Sequence, residues 1–386
     1  KFVSSAFIGL TYDPTDLCDE QGGVLVLRAS NIQNGSLDLQ DCVYVSCAIP
    51  DSLRVKKGDI LVCSRNGSKA LIGKNILIDE KTEDVTFGAF MTIIRGDLNE
   101  FLYCVFNSDL FQAQSALYMT STVNQLTLSI LNDIQIALPP PDERIRISGF
   151  LKARTARIDA LIAKKTRFTE LLKEKRQALI THAVTKGLNP AVRMKDSGIE
   201  WIGKVPEHWE IVPPTALFTD SKERARDGDE LLSATQKYGV IPLAEFESLE
   251  QRQVTKAVAN LEIRKHVEVG DFVISMRSMD GGLERARAIG SVRSSYSVLK
   301  PGPDVDGRFF GALLKSSLYI QALRLTSNFI RDGQDLNFGH FRQVRLPKPS
   351  LQEQVTIADH LEAETSRIDT LISKTERSIT LLKERR

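Results

Sequence analysis

The residues best suited to chemistry sit in two short polar stretches, Ser64-Arg65-Asn66-Gly67-Ser68-Lys69 and Met276-Arg277-Ser278-Met279-Asp280-Gly281-Gly282. Each follows an apolar run that reads as a strand, and each mixes Arg, small hydroxyls and Gly. An Arg fork can donate two hydrogen bonds to guanine O6 and N7, while Ser, Lys and backbone N–H groups can hold phosphates. Glycine lets a backbone approach a ligand closely. Further along, Asn124-Gln125 and the run from Asn328 through Arg331 to Gln334 again place Asn, Arg and Gln in turns. Asn and Gln suit adenine. Any one of these loops is also what a plain surface turn looks like; their occurrence in pairs favours a nucleic-acid contact.

Catalytic patterns are missing. Gly67 to Gly73-Lys74 resembles a phosphate loop, but the spacing is one residue too long and Asn75 stands where a magnesium-binding Ser or Thr belongs. There is no G-x-S-x-G, no H-E-x-x-H, and Asn189-Pro190-Ala191 falls short of the Asn-Pro-Pro-aromatic tetrapeptide of amino-methyltransferases. Cys18, Cys42, Cys47, Cys63 and Cys104 include no C-x-x-C pair, which reads as reduced thiols of a cytoplasmic protein and not as a zinc site.

The elements that must position the polar loops form a repeat. Leu151 to Arg176 and Leu361 to Arg386 are 210 residues apart (361 − 151) and share 15 of 26 residues. Proline steps precede both, LPPPDER at 138–144 and LPKPSLQEQ at 346–354. Upstream, VKKGDILVCSR (55–65) corresponds to VEVGDFVISMR (267–277). The chain therefore reads as a tandem duplication of one module, a mixed α/β part followed by a long helix.

The helical copies are rich in Ala, Leu, Lys, Arg and Glu, with apolar residues three, four and seven apart. The first is expected from about Asp142 to Lys186, roughly 65 Å long at 1.5 Å per residue, ending at Gly187. For the second, Ser350 to Glu353 fits a capping box. Lys164, Lys165, Arg167, Lys173, Lys175 and Arg176 make the second half of helix one basic, and Glu353, Asp359, Glu362, Glu364 and Asp369 make the first half of helix two acidic. Antiparallel pairing brings these charges together. Strands are expected at Val24–Leu27, Ile60–Val62, Ile76–Ile78, Phe87–Ile94, Phe272–Ser275 and Tyr296–Leu299, and helices at Phe101–Leu117 and Phe309–Leu325.

The whole chain has 386 residues, 42% hydrophobic and 26% charged, with a net charge of +2. That composition excludes a disordered chain and a disulfide scaffold. No run approaches the ~18 apolar residues of a membrane span, and no signal-peptide pattern opens the chain. Residues 1–140 carry 10 basic and 16 acidic side chains, so nucleic acid must be gripped by local clusters.

Several stretches together resemble the specificity (S) subunit of type I restriction-modification systems. They are MKDSGIEWIGKVPEHWEI (194–211), GDFVISMRSMDGG (270–282), SSYSVLKP (294–301), NFIRDGQDLNF (328–338), LRASNIQNGSLDL (27–39), GDILVCSRNGS (58–68) and the two proline-led helix heads. The resemblance implies an α+β chain with pseudo-two-fold symmetry. It would comprise target recognition domains at 1–140 and 213–346, a linker and lead-in at 188–212, and spacer helices at 141–187 and 347–386 forming an antiparallel coiled coil. The implied subunit is non-catalytic and binds a two-part sequence of double-stranded DNA. It would dock two methyltransferase subunits and, with them, restriction subunits. S-adenosylmethionine, ATP and Mg belong to those partners, and no cofactor or metal belongs to this chain.

The candidate DNA contacts are Arg65, Asn66, Ser68, Lys69, Asn124 and Gln125 in the first module and Arg277, Ser278, Asn328, Arg331 and Gln334 in the second. The sequence departs from the family pattern in three places: no EWIGKVPEHWE copy precedes the first module, the second helix stops at Arg386 where the first continues with Gln177-Ala178, and MTSTVNQLT (119–127) replaces NFIRDGQ. Both ends read as cut short. Two other readings stay open, a fused nuclease or methyltransferase and a protein-only adaptor.

Overall fold

A computed structural model describes residues 5–33, 35–78, 85–118, 125–254, 261–275, 278–326 and 336–386. They fall into two compact units, Lys1–Ala160 and Leu161–Arg386.

In the first unit, β1 (Ser5–Ile8), β5 (Ile60–Cys63), β6 (Asn75–Leu77) and β8 (Met91–Arg95) make an antiparallel sheet in the order β1-β8-β5-β6. All four residues of β5 are buried, because both faces of this sheet are covered. Strand alternation sends Ile60 and Val62 into one cluster, with Leu102 and Phe106 of α1 (Asn99–Phe106) and Phe111 of α2 (Asp109–Tyr118). Leu61 and Cys63 go to the other, with Leu27, Phe87 and Ile93. A second sheet, β2-β4-β3-β7, is built from β2 (Leu17–Cys18), β3 (Val24–Leu27), β4 (Val43–Val45) and β7 (Thr86–Phe87).

In this unit two elements expected as continuous are broken. Phe87–Ile94 is divided because β7 pairs in parallel with β3 while β8 joins the first sheet. The change of sheet occurs at Gly88-Ala89-Phe90, where Leu10 bridges to Gly88 and a Cβ on Gly9 would lie 2.1 Å from the Gly88 carbonyl oxygen. Phe101–Leu117 is interrupted at Asn107-Ser108. There Ser108 Oγ donates to the Val105 carbonyl at 2.6 Å and Asn107 Nδ2 donates to Asn75 Oδ1 at 2.9 Å. A short helix α3 (Leu128–Asp133) follows, with Thr127 as its N-cap.

The second unit has its own four-stranded antiparallel sheet: β9 (Phe218–Ser221), β10 (Phe272–Ile274), β11 (Glu284–Arg285) and β12 (Ser297–Pro301). Its order, β9-β12-β10-β11, repeats the sequence-order pattern of the first sheet, first strand beside fourth, fourth beside second, second beside third. The helix expected at Phe309–Leu325 is again two, α5 (Gly307–Leu313) and α6 (Ser317–Thr326). Phe272, Ile274 and Leu299 face Phe309, Phe310, Tyr319 and the lead-in Trp209 in one cluster, while Val273 and Val298 join Leu232, Val240 and Val267 in another.

The long helices are α4 (Pro141–Lys186), 46 residues, and α7 (Leu351–Arg385), 35 residues. Within the second unit, Lys173 pairs with Glu376 at 3.4 Å and Arg176 with Asp369 at 2.9 Å, while Ala183 and Val184 pack in the cluster that holds Ile357, Ala358 and Leu361. Rising positions on one helix meet falling positions on the other, so these stretches run antiparallel. Their charge matching is narrower than the sequence suggests. Asp359 and Glu362 face Arg308 of α5, at 2.6 and 3.4 Å, and Glu353 faces His208 at 2.9 Å. Gly187, at φ +73°, ends α4, and the Ser350 hydroxyl caps α7 by accepting from the Glu353 N–H. Among the described residues no helix is long and apolar enough to cross a membrane.

Candidate nucleic-acid interface

The loop after β5 is built by its own polar groups. Ser64 Oγ donates to the Phe90 carbonyl at 3.1 Å, and the N–H groups of Ser64 and Arg65 both donate to that oxygen at 3.0 Å. Asn66 Oδ1 accepts from the Ser68 N–H at 2.9 Å, which tightens the turn. Beneath it lies Cys63, fully buried, whose thiol is pushed up by burial. Arg65, Ser68 and Lys69 are left exposed and Asn66 is half-buried.

Gln125, 60 positions further along the chain than Arg65, meets it. The two residues form a single antiparallel bridge, the Leu126 N–H donates to the Ser64 carbonyl at 2.8 Å, and Arg65 Nη2 donates to Gln125 Oε1 at 2.8 Å. The Arg65 guanidinium also lies over the Phe90 ring, 5.9 Å from its centroid. Sequence reasoning named Arg65 and Gln125 but did not join them, and it missed Phe90, which looked like the middle of a buried strand. Asn124 lies outside the described residues.

In the second unit, Arg277, Asn328, Arg331 and Gln334 lie outside the described residues. Ser278 does not face solvent as expected. It is 1% exposed, and its hydroxyl accepts from the Ser275 N–H at 3.0 Å. It opens a single helical turn, Ser278–Gly281, and holds the loop's shape from inside. The hairpin of Leu232–Thr235 and Gly239–Pro242 brings its tip against this turn, since a Cβ on Gly281 would lie 2.5 Å from the Gln236 side chain. Lys315 Nζ donates to the Gln236 carbonyl and to Glu284, each at 2.8 Å. The tip carries Lys237, 73% exposed, over the Tyr238 ring at 4.7 Å. A basic and an aromatic residue in a Q-K-Y-G turn was the one signal available for it, and it was not read.

Elsewhere in this unit, Lys300 donates to Glu223 at 3.0 Å and Arg226 Nε to the same carboxylate at 2.8 Å. These two cations pull the Glu223 carboxyl down to about 2. Among the described residues no group of three or more metal-ligating side chains comes together.

The family model for the type I restriction modification DNA specificity domain matches residues 11–167, a stretch holding Arg65, Phe90 and Gln125. Over 206 residues the chain is 28% identical to the type I restriction enzyme StySPI specificity subunit of Salmonella potsdam, covering 52% of this chain and 44% of that one. Over 164 residues it is 29% identical to the EcoKI specificity subunit of Escherichia coli K12, covering 41% and 35%. Residues 11–167 thus match a type I restriction modification DNA specificity domain, and the chain is similar to specificity subunits. The match spans less than half the length of either relative. A chain solved in a study of complex assembly and conformational transition of the type I R-M system has the same fold, at a TM-score of 0.67 and 15% identity over 100% of this chain and 96% of that one. The α+β character of this chain is therefore that of the solved chain.

Proposed function

We propose that this chain is a specificity subunit that reads DNA sequence and has no catalytic centre of its own. The observation that carries the reading is the Arg65–Gln125 pair on an exposed loop inside the matched domain, where an Arg fork is held and still open to solvent. The repeated strand order of the two sheets supports two readers, residues 1–140 and 213–346, each taking one half of a two-part duplex sequence. Arg65, Asn66, Ser68, Lys69, Asn124 and Gln125 serve the first, and Arg277, Asn328, Arg331 and Gln334 the second. Ser278 shapes the second loop without touching DNA.

Residues 141–187 and 347–386 act as spacer helices in an antiparallel coiled coil, with 188–212 as the linker. A bar of roughly 65 Å would set readers up to two duplex turns apart, at ~34 Å per turn. Two methyltransferase subunits dock on the helices, and restriction subunits join them in the cytoplasm. S-adenosylmethionine, ATP and Mg serve the partners. Selection of duplexes from a random pool by the full chain, co-expressed with its methyltransferase, tests this. Enrichment of a motif with a fixed gap is expected. Protection of no sequence in footprinting would favour the adaptor reading, and methylation by the purified chain alone would favour the enzyme.

A further inference from the structure

Phe90 belongs to neither polar loop, yet it organises one of them. It is 59% exposed at the corner just before β8, and its carbonyl oxygen takes three hydrogen bonds from Ser64 and Arg65. Its ring lies under the guanidinium of Arg65, while Gln125 takes one of the guanidinium donors. An exposed Arg ordinarily samples many rotamers, and ordering it opposes binding. Here two neighbours already hold it.

The donor count shows what such a fork can read. Arg has five N–H donors and no acceptor. Gln125 uses one Nη2 hydrogen, and Nε and Nη1 meet no acceptor among the described residues. Nη2 contributes one hydrogen to the edge shared with Nε and one to the edge shared with Nη1. Whichever of them Gln125 takes, one complete two-donor edge survives. Because Arg only donates, Gln125 must turn its oxygen toward Arg65. Its amide nitrogen, another donor, is then the end left for a base. Adenine offers a donor beside its acceptor and cytosine a donor, whereas guanine offers two adjacent acceptors, N7 and O6.

We propose that Phe90, Arg65 and Gln125 form one preassembled reader of a guanine, in which Phe90 and Gln125 are positioning residues. This rests on the DNA-reading function above. It replaces the adenine role that Gln125 has when taken alone.

The test is duplex selection with the full chain in its methyltransferase complex. Wild type should enrich a guanine at one position of one half-site, and Arg65→Ala should relax that position by roughly 5- to 150-fold. Phe90→Ala and Gln125→Ala should relax the same position by less, and Phe90→Tyr should retain it. Undiminished preference in the other half-site controls for folding in every variant. The inference falls if the three disruptive variants weaken all sequences equally, as a phosphate contact would, or relax different positions, or relax one that is not guanine. If wild type selects no motif at all, the DNA-reading function itself falls.

Discussion

Arg176 grips both carboxylate oxygens of Asp369, Nε to Oδ1 at 2.9 Å and Nη2 to Oδ2 at 3.2 Å, across 193 positions of sequence. This fork fixes the register of α4 against α7 within the second unit. It is not what holds the helices together. The side chains are 37% and 52% exposed, and ion pairs so placed contribute about 0.2–1 kcal/mol and weaken with salt. The apolar seam does more, through Leu172 at 8% and Ile368 at 4% exposure.

Chemical denaturation of the full chain separates the two contributions. Asp369→Ala should cost no more than ~1 kcal/mol, and less in 1 M salt. Leu172→Ala or Ile368→Ala should cost ~2–4 kcal/mol at any salt concentration. A larger loss from Asp369→Ala than from Leu172→Ala would reverse this order.

A second pair lies deeper. Arg95 Nε and Nη2 donate to Asp59 at 2.8 and 2.6 Å, and Arg95 Nη2 also donates to the Arg54 carbonyl at 2.9 Å. The Asp59 side chain is 1% exposed and that of Arg95 24%. Removing the cation strands a buried carboxylate at the start of β5, so Arg95→Ala should cost about 3 kcal/mol, near the low end for buried pairs. Thermal or urea unfolding measures this; a loss under 1 kcal/mol would mean that water reaches Asp59 freely.

These pairs show what the sequence could and could not reveal. The repeated G-D of VKKGD and VEVGD was legible as a correspondence, and the structure supplies its cause. Gly58 and Gly270 sit at φ +85° and +98°, and each following Asp accepts from the N–H three residues earlier, Lys56 at 2.7 Å and Glu268 at 2.9 Å. The boundaries of α4 were legible because Gly187 and the prolines punctuate it. Contacts such as Arg65 with Gln125 were not, since no periodicity links positions 60 apart. The short edge strands β1 and β9 escaped notice for a related reason, four residues each with neither alternation nor turn signals of their own. Ser278 read as a surface hydroxyl because nothing local distinguishes a Ser that caps backbone from one that meets solvent.

Glu223 should titrate far below an ordinary glutamate. Its carboxyl is drawn to about 2 by hydrogen bonds from Lys300 and then Arg226. A folded value below the unfolded one contributes stability above pH ~4.5 that is lost as pH falls toward 2. Carboxyl-detected NMR of the full chain should place the midpoint near 2 and, in Lys300→Met, clearly higher. An unchanged midpoint in the variant would remove Lys300 as the main cause.

Asp271 reverses the sign. It occupies the turn position of Asp59, but Pro301 of β12 pairs with Phe218 at the strand end where the first unit has Arg95 beside Ser5. Without a forked cation, burial dominates and raises the Asp271 carboxyl, against the Glu268 N–H bond that favours ionisation. An acid whose folded value is raised costs nothing below its unfolded pKa of ~3.9, then subtracts stability as pH climbs toward the folded value, and the full penalty persists at neutral pH. Asn in its place keeps an oxygen for the Glu268 N–H and carries no charge. Asp271→Asn should therefore raise the melting temperature at pH 7 and leave it unchanged near pH 3. Destabilisation at pH 7 would show that the Lys300 charge facing Asp271 outweighs its burial.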